Sequence, residues 1–364
     1  MSQQWTELPH WFTSWRQWRT GGEAEGKNRN FLYELKNNVF MLVLSLDLGG
    51  TKLAYTVMDE NGTQFHNGKI LLEGRQGTQV GRLITELIGS LLTELSQANK
   101  KIDAIGVSVA GIVWHVKKTV WAPKINGWEN YPLQQEIEAV VGDIPVILES
   151  DRTCYIQGER WKGTAQNCHN AIFLAVGTGI GAGILVNEGV LKGAQDIGGA
   201  VGWMVLPKPY QIAGDSSICF FEDYASGTGL KALANLLIAN SPQYNGILKE
   251  KKDSLRTMEI FENFDSDEIA IKTLQICIEL WGMGIANLVS IFNPEKIILG
   301  GGVFGPASRF LPEIKTAVSK WAQPYSNKNY SLEVSAIGKD AGVYGAAYSA
   351  IQYLNSKRDV QQSH

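Results

Sequence analysis

The chain has 364 residues, with 33 Lys and Arg against 36 Asp and Glu, for a formal net charge of −3. That balance argues against nucleic-acid binding driven by bulk charge, and the length favours two domains meeting at a cleft over a single core. The 39 glycines exceed the usual share of about 7% and fall in short clusters, the pattern of backbone packed against a ligand.

Residues 1–40 stand apart from the rest, with Trp5, Trp11, Trp15 and Trp18 followed by a polar stretch over 21–30. They read as an appendage whose tryptophans make a docking surface, or as sequence preceding a true start at Met41. From there apolar runs at 41–46, 102–109, 144–148, 171–176 and 296–299 alternate with helical stretches, the signature of an α/β protein. Val80, Leu83, Ile84, Leu87, Ile88, Leu91, Leu92 and Leu95 keep a helical rhythm. A second helix is expected from about 267 to 292, stopping before Pro294, which cannot continue it. A third, over 341–354, closes the fold before a polar tail at 356–364. A strand, a Gly/Thr turn and a second strand occur at 42–58 and again at 171–186, which suggests duplicated halves: a small domain at 41–152 completed by the last helix (about 341–355), and a larger one at 153–340. Cys154, Cys168, Cys219 and Cys277 show no CxxC spacing, which fits a reducing cytoplasm. No uninterrupted apolar run reaches the length of about 20 residues that spans a bilayer, so a cytoplasmic protein without a membrane partner is expected.

Chemistry gathers at glycine turns. Asp47 ends a buried strand, Gly49 and Gly50 allow a turn with exposed N–H groups, and Thr51 and Lys52 add a hydroxyl and a cation. Such a concavity suits phosphate oxygens, and Asp47 suits a hydrated Mg²⁺, although a hairpin turn with a capping Asp would look the same. Gly177, Thr178, Gly179 and Gly181 form a second turn; because a strand follows, it is no dinucleotide fingerprint. Gly300, Gly301 and Gly302 follow a strand directly, where small residues let a flat ring approach. Asp151 lies just past the strand at 144–148, where an α/β sheet directs a carboxylate into its cleft. It could take the proton of an attacking hydroxyl or simply cap a helix.

Taken together, the strings at 47–52, 106–113, 149–158, 177–183, 224–227 and 299–302 resemble the ROK family of bacterial sugar kinases and sugar-responsive repressors. The resemblance covers about 41–354. It implies the two-domain actin-like ATPase (ribonuclease H-like) fold with a central cleft, ATP and Mg²⁺, a small-molecule sugar as partner, no nucleic acid, and room for a homodimer. By the same resemblance Asp151 is the general base, Asp47 the metal-linked carboxylate, Gly177–Gly181 the second phosphate turn, Gly300–Gly302 the adenosine contact, and Gly111 and Glu222 line the sugar.

The departures concern the sugar pocket. Ser150 replaces the Asn before the catalytic Asp, Lys124 replaces a sugar-contacting Asn, and Ala200 and Trp203 replace the Glu and His of an Glu-x-Gly-His motif. The family's zinc cysteines fall on Ala213, Asp215 and Phe220, and its zinc histidine on Trp203, so no zinc is expected. The leading expectation is an ATP-dependent kinase for a hexose or N-acetylhexosamine, glucose by default. The alternatives are a catalytically weak sugar or nucleotide sensor, and a transcriptional regulator, for which residues 1–40 are too few to form the usual winged helix.

Overall fold

The computed structural model describes residues 41–208 and 218–362; the appendage expected at 1–40, and Ala213 and Asp215, lie outside them. The first sheet begins with β1 (Leu42–Leu48), buried everywhere except at Asp47. β2 (Lys52–Asp59) and β3 (Gln64–Leu71) fold back antiparallel. After the helix Thr78–Gln97, β4 (Ala104–Val109) lies parallel to β1. A short hairpin, β5 (Ile112–Trp114) and β6 (Thr119–Trp121), and the helix Leu133–Val141 lead to β7 (Val146–Ser150), giving the order β3-β2-β1-β4-β7.

The second half repeats the plan. β8 (Ala171–Val176), β9 (Ile180–Val186) and β10 (Gly189–Val190) form an antiparallel meander. A side hairpin, β11 (Val205–Pro207) with β12 (Ile218–Phe220), precedes the helical region, and β13 (Lys296–Gly300) and β14 (Ser331–Val334) add in parallel, for the order β10-β9-β8-β13-β14. Each sheet is thus a three-stranded meander extended by two parallel strands, so the duplication read at 42–58 and 171–186 extends to whole sheets.

The expected helices form for the expected reasons. Val80, Ile84, Leu87, Ile88, Leu91 and Leu95 are buried, with Leu83 and Leu92 at the margin. In the helix Glu268–Phe292, Asp267 accepts the N–H groups of Ile269 and Ala270 at 2.9 and 3.0 Å. The helix stops at Asn293, left-handed at φ 44°, just before Pro294. By length and composition this helix could cross a bilayer, contrary to the expectation that no run was long enough, because Lys272 and Glu279 interrupt the run to the eye without lowering its overall apolarity. Its apolar side chains are spent inside the larger half, where Leu274, Leu280, Trp281, Ile285 and Val289 are buried.

The closing helix Ala341–Gln362 does not stop near 355 but runs through the supposed polar tail, since no Gly or Pro interrupts 346–362 and exposed polar residues suit a helix. It lies across the first sheet, to which its residues are remote in sequence. Ala347, Ala350 and Ile351 pack with Met41, Val43, Met58 and Ala104, and glycines set the distance. A Cβ on Gly106 would sit against the Ala346 carbonyl oxygen, and one on Gly345 would clash with the Cys154 carbonyl oxygen. Gly345 thus seats one helix on the other, and the helix it packs on, Asp151–Lys162, is continuous across the boundary expected after residue 152. Both halves share that helix: the closing helix covers one side, and the Arg152 backbone and Ile156 press on Gly183 of β9 from the other.

Candidate active site

Because β1, β4 and β7 are parallel neighbours, their carboxyl ends open at one crevice. Asp47 stands opposite Ser108, and Ser108 opposite Glu149. The Ser108 hydroxyl donates to Asp47 at 2.7 Å. Burial pushes the Asp47 carboxyl up, against the opposing pull of Ser108 and of Lys52 in the first turn.

One residue past β7, the chain separates two jobs that a lone Asp would combine. Ser150 caps the helix Asp151–Lys162, its Oγ accepting the Thr153 N–H at 3.3 Å. Asp151 is thereby freed from capping; its carboxyl accepts the Arg152 N–H at 2.9 Å and the Tyr155 hydroxyl. Burial is the main force pushing its carboxyl up to about 7, Arg152 opposing and the charge of Asp47 adding. A carboxylate poised near neutrality can accept a proton from a hydroxyl.

The glycine turns differ in what they demand. At Gly50 a Cβ would run into the stem of Lys124, so that exposed side chain lies over the first turn, beside exposed Thr51 and half-buried Lys52. Gly49 closes this turn by donating its N–H to the Lys52 carbonyl at 3.0 Å. In the second turn Gly177 faces open space, with exposed Thr178 beside it; Gly179 makes room for Glu222, and Gly181 for the stem of Arg152. At β13, Gly302 is open and Gly301, at φ +86°, turns the chain against Val176, whereas Gly300 is small to admit Phe173. Open backbone at Gly177 and Gly302, with a carboxylate at Asp47, fits a phosphate chain. Among the described residues no group of three or more His, Cys, Asp or Glu is placed to hold a metal.

The model of the family described as "ROK family" matches residues 43–353. The chain belongs to the ROK family. It is 28% identical over 327 residues to a glucokinase of Halalkalibacterium halodurans, covering 86% of this chain and 96% of that protein. It is 26% identical over 341 residues to a xylose repressor of Caldicellulosiruptor bescii, covering 92% of this chain and 84% of that one. Among solved structures, a ROK family glucokinase from Streptomyces griseus in complex with glucose and AMPPNP superposes with a TM-score of 0.68 at 28% identity, over 85% of this chain and 99% of that one. Both branches of the family, kinase and repressor, are thus among the relatives, and the fold is the two-domain actin-like ATPase fold expected of them.

The residues that the resemblance assigns to the sugar take the following places. Glu222 accepts the Ile180 N–H at 3.1 Å and sits against Gly202, which ties the second turn to the 199–203 segment. Trp203 is 65% exposed and leans on Phe220, ring centres 5.2 Å apart. An aromatic pair therefore occupies two of the positions where the family resemblance places zinc ligands. Gly111 packs on the Trp121 backbone and offers its carbonyl to Arg152. Ser150 spends its hydroxyl on the helix cap and on Thr153 Oγ1, 3.1 Å away.

Two features of this ROK chain escape sequence reasoning. His115, beyond β5, lies 3.4 Å from Glu149 and 3.0 Å from Asp196, while Lys192 reaches Glu149 at 2.6 Å. The bond to Glu149 is the chief reason that the His115 imidazole is raised above its ordinary value. With Val113, Ser150 and Thr153 these groups close a crevice between the halves. The other feature is Arg152, directly after Asp151. In the sequence only its proximity to Asp151 marks it.

Proposed function

We propose that the chain is an ATP-dependent sugar kinase in which Asp151 is the general base. The observation that carries this reading is Asp151 itself: relieved of capping by Ser150, set at the crevice floor beside Asp47, and held near neutral pKa. ATP is the phosphoryl donor, its phosphates lying along the 49–52 and 177–181 turns and its adenosine near 301–302. When bound, Mg²⁺ would neutralise phosphate charge, Asp47 orienting its water shell. The sugar hydroxyl oxygen attacks the γ-phosphorus as its proton passes to Asp151, and the bond from that phosphorus to the β–γ bridging oxygen breaks, leaving ADP. The glucokinase relatives support a hexose as acceptor and make glucose the first to assay. A cytoplasmic setting follows from those substrates.

The xylose repressor relative supports a second reading, a sensor that binds sugar without transferring phosphate. The two are separated by a coupled assay for ADP release over a panel of hexoses and N-acetylhexosamines. Sugar-dependent ADP formation that Asp151→Asn abolishes supports the kinase. Sugar binding without turnover on any member supports the sensor.

A further inference from the structure

Arg152 is a half-buried side chain of the crevice with an unsatisfied donor. Among the described residues its Nε is buried without a hydrogen-bond partner. The side chain's one hydrogen bond, from Nη2 to the Gly111 carbonyl, is long at 3.5 Å, and no ion pair joins it to a carboxylate among the described residues. The placement is built rather than incidental. The stem crosses β9 where Gly181 leaves room, a Cβ there falling 3.0 Å from Arg152 Cδ, and the carbonyl of Gly199 abuts the same spot. The next residue, Ala200, has no charge to offer. A guanidinium N–H withdrawn from water and left unpaired is costly, and the Nε edge, two parallel N–H groups, matches the two oxygens of a carboxylate.

We propose that Arg152 is a specificity-determining residue that binds a carboxylate on the acceptor, so that the preferred substrate is an acidic sugar rather than a neutral hexose. This rests on the reading of the crevice as the sugar site of a kinase. The acceptor then carries two distinct handles: a carboxylate on the Arg152 fork, between Gly111 and Gly181, and a hydroxyl presented to Asp151 one residue away.

The test uses the full-length protein and separates binding from transfer. Calorimetric binding without nucleotide, and ATP-dependent transfer, are measured for glucose, glucuronate, gluconate and the neutral isostere glucuronamide, in the wild type, Arg152→Lys, Arg152→Met and Asp151→Asn. Glucuronate or gluconate is expected to bind roughly tenfold to a hundredfold more tightly than glucose or glucuronamide, the worth of a charge-assisted hydrogen bond. Arg152→Met should bring the carboxylate-to-amide ratio near one, with Arg152→Lys between. Asp151→Asn should keep the preference and lose transfer. Equal or better binding of the neutral sugars by the wild type overturns the proposal, as does absence of binding by both acids or a preference that survives Arg152→Met. The wild-type comparison of acid with amide decides the matter even if the variants fail to fold. Selective acid binding without transfer to any sugar supports the role of Arg152 while refuting the kinase. Transfer to glucose without selectivity for the acids does the reverse.

Discussion

Asp151 couples activity to stability through one ionisation. As a general base it works deprotonated, so kcat/KM should fall about tenfold per pH unit below about 7. Asp151→Asn should lower turnover about 10²-fold or more with nucleotide binding retained, measured by steady-state kinetics and nucleotide titration; near-normal turnover would remove Asp151 from the chemistry. The sign for stability is opposite to that of an ordinary salt-bridged Asp. Its folded pKa is raised from about 3.9 in the unfolded chain, so the native state holds the extra proton between those values. Stability therefore falls as pH rises through that window. Asp151→Asn should melt higher than the wild type at pH 8 and not at pH 4; the same difference at both would refute this. Ser150→Ala should cost about 1 kcal/mol by denaturant titration, the worth of an N-cap. Asp47 and Asp151 could be recognised in the sequence because strand ends and adjacent glycines mark them. Arg152 and His115 could not, because what gives them meaning is distant: Gly111 is 41 residues away, and Asp196 is 81 residues from His115.

Among the elements, the meanders and the long helices were legible because their apolar periods are local. Less legible was what each glycine serves. A GxGxG string looks uniform, yet Gly177 opens to the cleft while Gly179 and Gly181 seat Glu222 and Arg152, and Gly300 seats Phe173. Only neighbours from other elements make that distinction. The tightest seat joins the closing helix to the helix that begins with Asp151. Gly345→Ala should push the two apart at the Cys154 carbonyl and cost roughly 1–3 kcal/mol or more. Because Asp151 and the residues facing Gly345 lie on one helix, turnover should drop as well. A variant with wild-type denaturation midpoint and rate would show that this seat has slack.

For the molecule as a whole, the contact between halves has a charged clasp: His115 and Glu149 from the first half, Lys192 and Asp196 from the loop after β10. Glu149 and Asp196 favour the protonated ring and Lys192 opposes it. Its folded pKa being raised, His115 contributes stability that is fully present below about 6.5, its unfolded value, and is lost as pH rises through the folded one. His115→Gln should therefore lower the melting temperature more at pH 6 than at pH 9; a gap independent of pH would show that the ring's charge does not matter. This joining of halves is not written in local sequence. The last helix, expected to complete the first half, packs on the first sheet although nearly 300 residues separate Ser45 from Val343, whose carbonyl accepts the Ser45 hydroxyl. During synthesis, which runs from the amino end at about 5–20 residues per second, the face of β1 and β4 waits for that helix for some tens of seconds. The second sheet, whose own strands end at Val334, has all its parts earlier. On the ribosome the half that is made first is thus the half that can be finished last, with Met41, Val43, Met58 and Ala104 uncovered until the closing helix emerges.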